Sequence, residues 1–122
     1  MARHLTPRRI MVIDDNRDAA DVVAEFLQIS GHNAVSTYDG KSALQIAEDF
    51  QPDVIFCDLG MPGMDGYTVA KRLRGMFTLA RTKLVALTAW GDNDARAKVV
   101  ASGFDYHLVK PASFDDILGQ LT

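Results

Sequence analysis

The sequence predicts an α/β fold: a doubly wound parallel sheet of five strands, each followed by a helix. Short apolar runs recur five times along the 122 residues, and stretches with helical spacing separate them. Most of the runs are continuously apolar rather than alternating, which is the pattern of parallel strands covered by helices on both faces. A strand–helix unit repeated five times closes most simply as an open, doubly wound sheet.

The first run is Ile10-Met11-Val12-Ile13. Ala20, Val23, Ala24 and Leu27 follow at i, i+3, i+4 and i+7, and Gly31 supplies a helix stop. The second run, Ala34-Val35, is short and runs into Ser36 and Thr37, so it reads as an edge strand. Ala43, Ile46, Ala47 and Phe50 form the next stripe, ending before Pro52. Val54-Ile55-Phe56-Cys57 is the third run, followed by the stripe Val69, Leu73 and Met76. Leu84-Val85-Ala86-Leu87 is the fourth, followed by Ala97, Val100, Ala101 and Phe104, with Gly103 near the stop. Leu108-Val109 is the fifth, followed by Phe114, Ile117, Leu118 and Leu121. All five stripes read as core-facing packing, with no cofactor implied.

Composition narrows the function classes. The net charge of -3 argues against a nucleic-acid surface, which needs a concentrated basic face. Arg3, Arg8 and Arg9 make only a short cluster and read as solvated charge near a terminus. One cysteine, Cys57, excludes an internal disulfide and points to a reducing compartment, with the thiol buried in a strand. No apolar run approaches the ~20 residues of a membrane span, and no signal peptide is visible, so a cytoplasmic location is expected. His4 and His32 lack metal-ligand spacing and read as solvated. The fold is expected to use all of these 122 residues, with no room among them for an effector domain.

In such a sheet the functional crevice lies beyond the carboxyl ends of the strands. Strand one runs into Asp14-Asp15, strand three into Asp58, strand four into Thr88, and strand five into Lys110-Pro111. With strands one and three adjacent, the three carboxylates crowd together and oppose one another's ionisation unless a cation intervenes. Mg²⁺ suits such a site, because it binds through few carboxylates together with waters and a phosphate. Turn or cap duty explains any one Asp, but not three of them with a hydroxyl and an amine at one edge.

The segments Val12-Ile13-Asp14-Asp15-Asn16, Cys57-Asp58-Leu59-Gly60-Met61-Pro62-Gly63-Met64-Asp65-Gly66, Leu87-Thr88-Ala89 and Val109-Lys110-Pro111 resemble the receiver domain of bacterial two-component response regulators. The stretch Gly60 to Gly66 is similar to receivers attached to hybrid histidine kinases. The resemblance runs from about Arg9 to Leu121, so residues 1–8 read as an N-terminal extension and 9–122 as the receiver. It implies a flavodoxin-like (βα)5 fold with strand order 2-1-3-4-5. Asp58 would be the nucleophile that takes a phosphoryl group from a phosphohistidine. Asp15 would ligate Mg²⁺ directly, Asp14 largely through water, and the Gly60 carbonyl would complete the protein ligands alongside Asp58. Lys110 would pair with a phosphoryl oxygen through a chain whose bond to Pro111 is cis. Thr88 would turn inward to meet the phosphoryl group. The implied partners are a sensor histidine kinase or histidine phosphotransfer protein and a downstream output domain or protein. Neither nucleic acid nor membrane is expected to be contacted directly. The implied role is a switch that phosphorylates and dephosphorylates itself, not a metabolic enzyme.

Two positions depart from the family pattern. Three residues before Lys110, where Tyr or Phe is usual, stands His107, a smaller switch candidate that can titrate near neutral pH. Tyr106 points the other way by strand alternation. Trp90, two residues after Thr88, brings a bulky ring to the site's margin. Rival readings fit less well. A phosphatase of the haloacid dehalogenase type needs an acid two residues after its nucleophile, whereas Gly60 follows Asp58 and Asn16 follows Asp14 at that spacing. A flavin module needs a phosphate-binding loop after strand one, and Asp-Asp-Asn repels phosphate. The glycines 60, 63 and 66 lack the dinucleotide spacing.

Overall fold

The computed structural model describes residues 6–89 and 93–121. Strand and helix alternate throughout: β1 (Arg9–Ile13), α1 (Arg17–Ile29), β2 (Asn33–Thr37), α2 (Gly40–Phe50), β3 (Val54–Asp58), α3 (Gly66–Arg74), β4 (Lys83–Thr88), α4 (Asn93–Ala101), β5 (Tyr106–Val109) and α5 (Phe114–Gly119). A 3-10 turn, Phe77–Leu79, joins α3 to β4. The five strands pair in parallel in the order β2-β1-β3-β4-β5, so the weak second run is an edge strand.

Alternate residues of each strand enter different cores. Met11, Ile13, Ile55, Cys57, Leu84 and Ala86 pack on one face with Ala43, Val69 and Leu73. Ile10, Val12, Val54, Phe56, Val85 and Leu87 pack on the other with Ala20, Leu27 and Ile117. Both faces are covered, which is why the runs carry no polar alternation. Each fully buried large side chain, Phe56 and Ile10 among them, contributes about 1.5–3 kcal/mol relative to exposure. Helix starts are set by side-chain caps. Asn16, Asp39, Asp65 and Ser113 accept from the backbone N–H groups of Ala19, Ser42, Thr68 and Asp116, each contributing about 1 kcal/mol.

The helical stripes need correction in three places. Among the described side chains of α4 the buried one is Val99, whereas Ala97, Val100 and Ala101 face solvent, Val100 at 72% exposure. Ala offers too little area to decide which face turns inward, and Phe104 buries from beyond the helix. Ile46 of α2 is on the exposed side. Phe114 of α5 lies at the surface, stacked on Phe26 of α1 with ring centroids 4.0 Å apart.

His32 is not solvated, contrary to expectation. It is buried between α1 and β2, where its Nδ1 accepts the Arg8 N–H at 3.0 Å. That bond requires the neutral ring. Burial holds the His32 pKa below its ordinary value, and the Arg8 charge adds to the effect. The unfolded chain therefore binds the proton first as pH falls, near ~6.5, and stability is lost from there downward. We expect His32→Asn, whose Oδ1 can accept the same N–H, to flatten urea-unfolding stability between roughly pH 7 and pH 5. A slope equal to that of the parent protein would place the acid sensitivity elsewhere. His4 lies outside the described residues.

Candidate functional site

The β1–β3–β4–β5 adjacency brings the strand-end residues together. Asp14 directly follows β1 and Asp58 closes β3, its neighbour. Carboxylate oxygens of Asp14, Asp15 and Asp58 lie within 4.8 Å of one another. Asp14 and Asp58 are buried and Asp15 is exposed. Lys110, one residue past β5, reaches across the sheet edge. Its Nζ is 2.8 Å from Asp58 Oδ1 and 3.2 Å from Asp14 Oδ2. Thr88 ends β4 between them, 4% exposed, and its hydroxyl has no hydrogen-bond partner among the described residues. Gly60, exposed, lies two residues beyond Asp58 in the loop toward α3.

The electrostatics separate these acids from ordinary cap residues. Asp39 and Asp65 cap helices, and backbone N–H bonds hold their carboxyls below the usual range. Asp14 goes the other way. Burial pushes its carboxyl up, and the nearby Asp58 charge adds to this against the Asn16 N–H and Lys110. Burial alone would lower the Lys110 ammonium, but the hydrogen bond and charge of Asp58, then those of Asp14, raise it. One ammonium thus serves two buried carboxylates, with a third beside them. The site holds an excess of negative charge and can accept a cation.

Backbone detail explains the loop. Gly66 opens α3 directly against Asp58: its N–H donates to Leu59 O at 3.0 Å. A Cβ there would overlap the Asp58 carbonyl and stand 2.7 Å from Leu59 Cα. Gly63 has φ +77°, left-handed backbone that other residues rarely adopt. Met61, ahead of both glycines, is buried in the core and pins the start of the loop. The Lys110–Pro111 bond is cis.

A family model for the response regulator receiver domain matches residues 10–122. This chain belongs to the response regulator receiver domains. Among curated relatives, it is 34% identical over 113 residues to the DNA-binding dual master transcriptional regulator RpaA of Synechocystis, covering 93% of this chain and 47% of RpaA. The transcriptional regulatory protein HprR of Escherichia coli is 32% identical over 93% of this chain and 49% of its own length. The chain thus spans about half the length of the curated relatives it matches. The chemotaxis protein CheY4 of Vibrio cholerae superposes with a TM-score of 0.90 at 28% identity, over 95% of this chain and 97% of that one. The fold is shared as well by the receiver domain of Saccharomyces cerevisiae Ssk1, crystallised with the phosphotransfer protein Ypd1. The TM-score there is 0.88 at 23% identity, over 98% of this chain and 90% of that one.

In this receiver His107 pairs with Ala86, two residues before Thr88, so register puts His107 and Thr88 on one face of the sheet. Tyr106 pairs with Val85 on the other face. Cys57 is buried and free; burial, then the Asp58 charge, pushes its thiol far up, leaving no thiolate nucleophile. Trp90 lies outside the described residues. Periodicity offered no sign of the cleft of about 540 Å³ between α1 and α5, where Val22, Val23, Phe114 and Ile117 line a path to Asp14 and Lys110. Its walls come from distant segments, and only the fold assembles them. No described helix is long and apolar enough to cross a membrane.

Proposed function

We propose that this receiver takes a phosphoryl group onto the Asp58 carboxylate from a phosphohistidine of a sensor kinase or a histidine phosphotransfer protein. The observation that carries this is the Lys110 ammonium 2.8 Å from Asp58 Oδ1, inside a cluster of three carboxylates. An Asp58 oxygen attacks phosphorus as the P–N bond to the donor imidazole breaks, and the imidazole leaves with its electron pair. Phosphoryl transfer through a loose transition state asks for positioning and charge neutralisation more than nucleophilic strength. Lys110 moves from carboxylate to phosphoryl oxygen, and the unpartnered Thr88 hydroxyl supplies a further donor.

The donor set suits Mg²⁺: hard oxygen ligands, an uncompensated negative charge, and a buried Asp14 whose carboxyl is pushed up. Asp15, Asp58 and the Gly60 carbonyl would hold the ion directly, and Asp14 largely through water. When bound, it neutralises charge on the transferring group. The acyl phosphate so formed is labile, so the mark is temporary and the receiver acts as a self-resetting switch in the cytoplasm. Residues 9–122 form the whole of this switch, with 1–8 an extension. Its phosphorylated form would control an attached output domain or a separate protein, and the receiver itself would contact neither nucleic acid nor membrane.

Incubated with acetyl phosphate and Mg²⁺, the protein should gain one phosphoryl group by intact mass, and excess EDTA should prevent it. Uptake indifferent to EDTA would remove the metal from the reaction. Thr88→Ala separates chemistry from signalling. It should still be phosphorylated, yet transmit smaller amide-shift changes to residues 93–107, with His107 moving least. Normal shifts in that phosphorylated variant would relieve Thr88 and His107 of the switch role.

A further inference from the structure

The carboxylate of Asp15 makes no hydrogen bond or ion pair among the described residues. Its direction is therefore set by the backbone of the β1–α1 loop. That loop is closed on itself by the Asn16 N–H, which donates to Asp14 Oδ1 at 3.0 Å, and it is fastened to β2 at both ends. At its start, the Asp14 N–H donates to Thr37 O at the end of β2, at 3.1 Å. At its far side, the first turn of α1 is fastened to the same corner of β2. The Tyr38 hydroxyl donates to Asp21 Oδ1 at 2.6 Å, and the Ser36 hydroxyl donates to the same oxygen at 2.7 Å. The guanidinium of Arg17, the first residue of α1, lies over the Tyr38 ring at 4.4 Å. Tyr38 thus touches α1 at both Arg17 and Asp21, one helical turn apart.

We infer that Tyr38, anchored by Asp21, is a positioning residue: it clamps the first turn of α1 to the end of β2 and so sets where Asp15 presents its carboxylate to a divalent cation. The inference rests on the metal-dependent reading of the site. The physical case is one of leverage. A three-residue loop between fixed ends has few conformations, and freeing one end multiplies them, so the ligand must be ordered when the ion binds. The hydrogen bonds also hold the Asp21 carboxyl below its usual range, Tyr38 first and Ser36 second, in keeping with a charged anchor. Both Tyr38 and Asp21 lie outside the reacting set, so their loss should weaken ion binding without removing any group that performs chemistry.

The test is Mg²⁺ titration by calorimetry of the parent protein, Tyr38→Ala, Tyr38→Phe, Asp21→Ala and Asp15→Ala, alongside phosphorylation rates from acetyl phosphate. Tyr38→Ala and Asp21→Ala should bind Mg²⁺ roughly three- to tenfold more weakly, below the roughly 10–100-fold for loss of a partner bonded directly to a ligand. Tyr38→Phe, which keeps the ring under Arg17 and leaves Ser36 bonded to Asp21, should fall between the parent and Tyr38→Ala. At saturating Mg²⁺ the phosphorylation rates should return to within about twofold of the parent, as when binding alone is impaired. Destabilisation alone weakens apparent Mg²⁺ binding only as far as it lowers the folded fraction, so each variant is titrated where urea unfolding shows it fully folded, and weaker binding there reports the clamp. Parent-like Mg²⁺ affinity in Tyr38→Ala and Asp21→Ala, with Asp15→Ala weakened, would overturn the clamp. So would a rate deficit that saturating Mg²⁺ does not restore. If Asp15→Ala itself binds like the parent, the metal assignment fails, a separate result from failure of the clamp.

Discussion

Asp58→Asn is expected to take up no phosphoryl group from acetyl phosphate and Mg²⁺ while remaining folded. The substitution keeps size and shape but replaces an anionic oxygen with a neutral amide, which cannot form the acyl phosphate. Folding should survive, because the change also relieves crowding. Asp58 raises the Asp14 carboxyl by its charge, and like charges at this range cost stability until a cation arrives. The parent should gain one phosphoryl group by intact mass and lose it on standing at neutral pH. Uptake of equal extent by Asp58→Asn would move the acceptor elsewhere, most simply to Asp14 or Asp15. The variant also tests coupling, since a phosphotransfer partner that still binds it while delivering nothing would separate docking from chemistry.

The site was legible in the sequence because its chemistry sits at strand ends. Parallel strands place every carboxyl terminus at one edge, so Asp14, Asp58, Thr88 and Lys110 could be gathered on one edge before any distance was known. What escaped was information that no single segment carries. The α4 stripe failed because Ala97 and Ala101 have little area to bury, and Val99 and Phe104 settle the orientation instead. His32 does lie in a loop, but it read as solvated because its partner, the Arg8 backbone, is 24 residues away. Tyr38, Ser36 and Asp21 meet only because β2 lies beside the start of α1. Arg74 is the same kind of case. Its guanidinium ties the end of α3 to Gly103 O and Thr82 O and pairs with Asp105, which in turn accepts the Leu84 N–H. Residue spacing in any one helix or strand says nothing of such a junction.

Lys110→Ala should affect phosphorylation and metal binding in opposite directions. Its ammonium bridges Asp58 and Asp14, and both carboxylates raise its pKa against the effect of burial. It is therefore a resident cation competing for the ligands a divalent ion would use. Removing it leaves more negative charge facing that ion, so Mg²⁺ should bind the variant more tightly than the parent. The transferring phosphoryl group, in contrast, loses its fixed positive partner. Phosphorylation from acetyl phosphate should slow by at least about a hundredfold, the usual effect of removing one preorganised donor from a developing charge. Calorimetric Mg²⁺ titration and a phosphorylation time course at saturating Mg²⁺ read the two effects separately. Weaker Mg²⁺ binding in the variant would mean that Lys110 orients the carboxylates more than it competes for them. A near-parental rate would assign neutralisation of the phosphoryl oxygens to the metal ion alone.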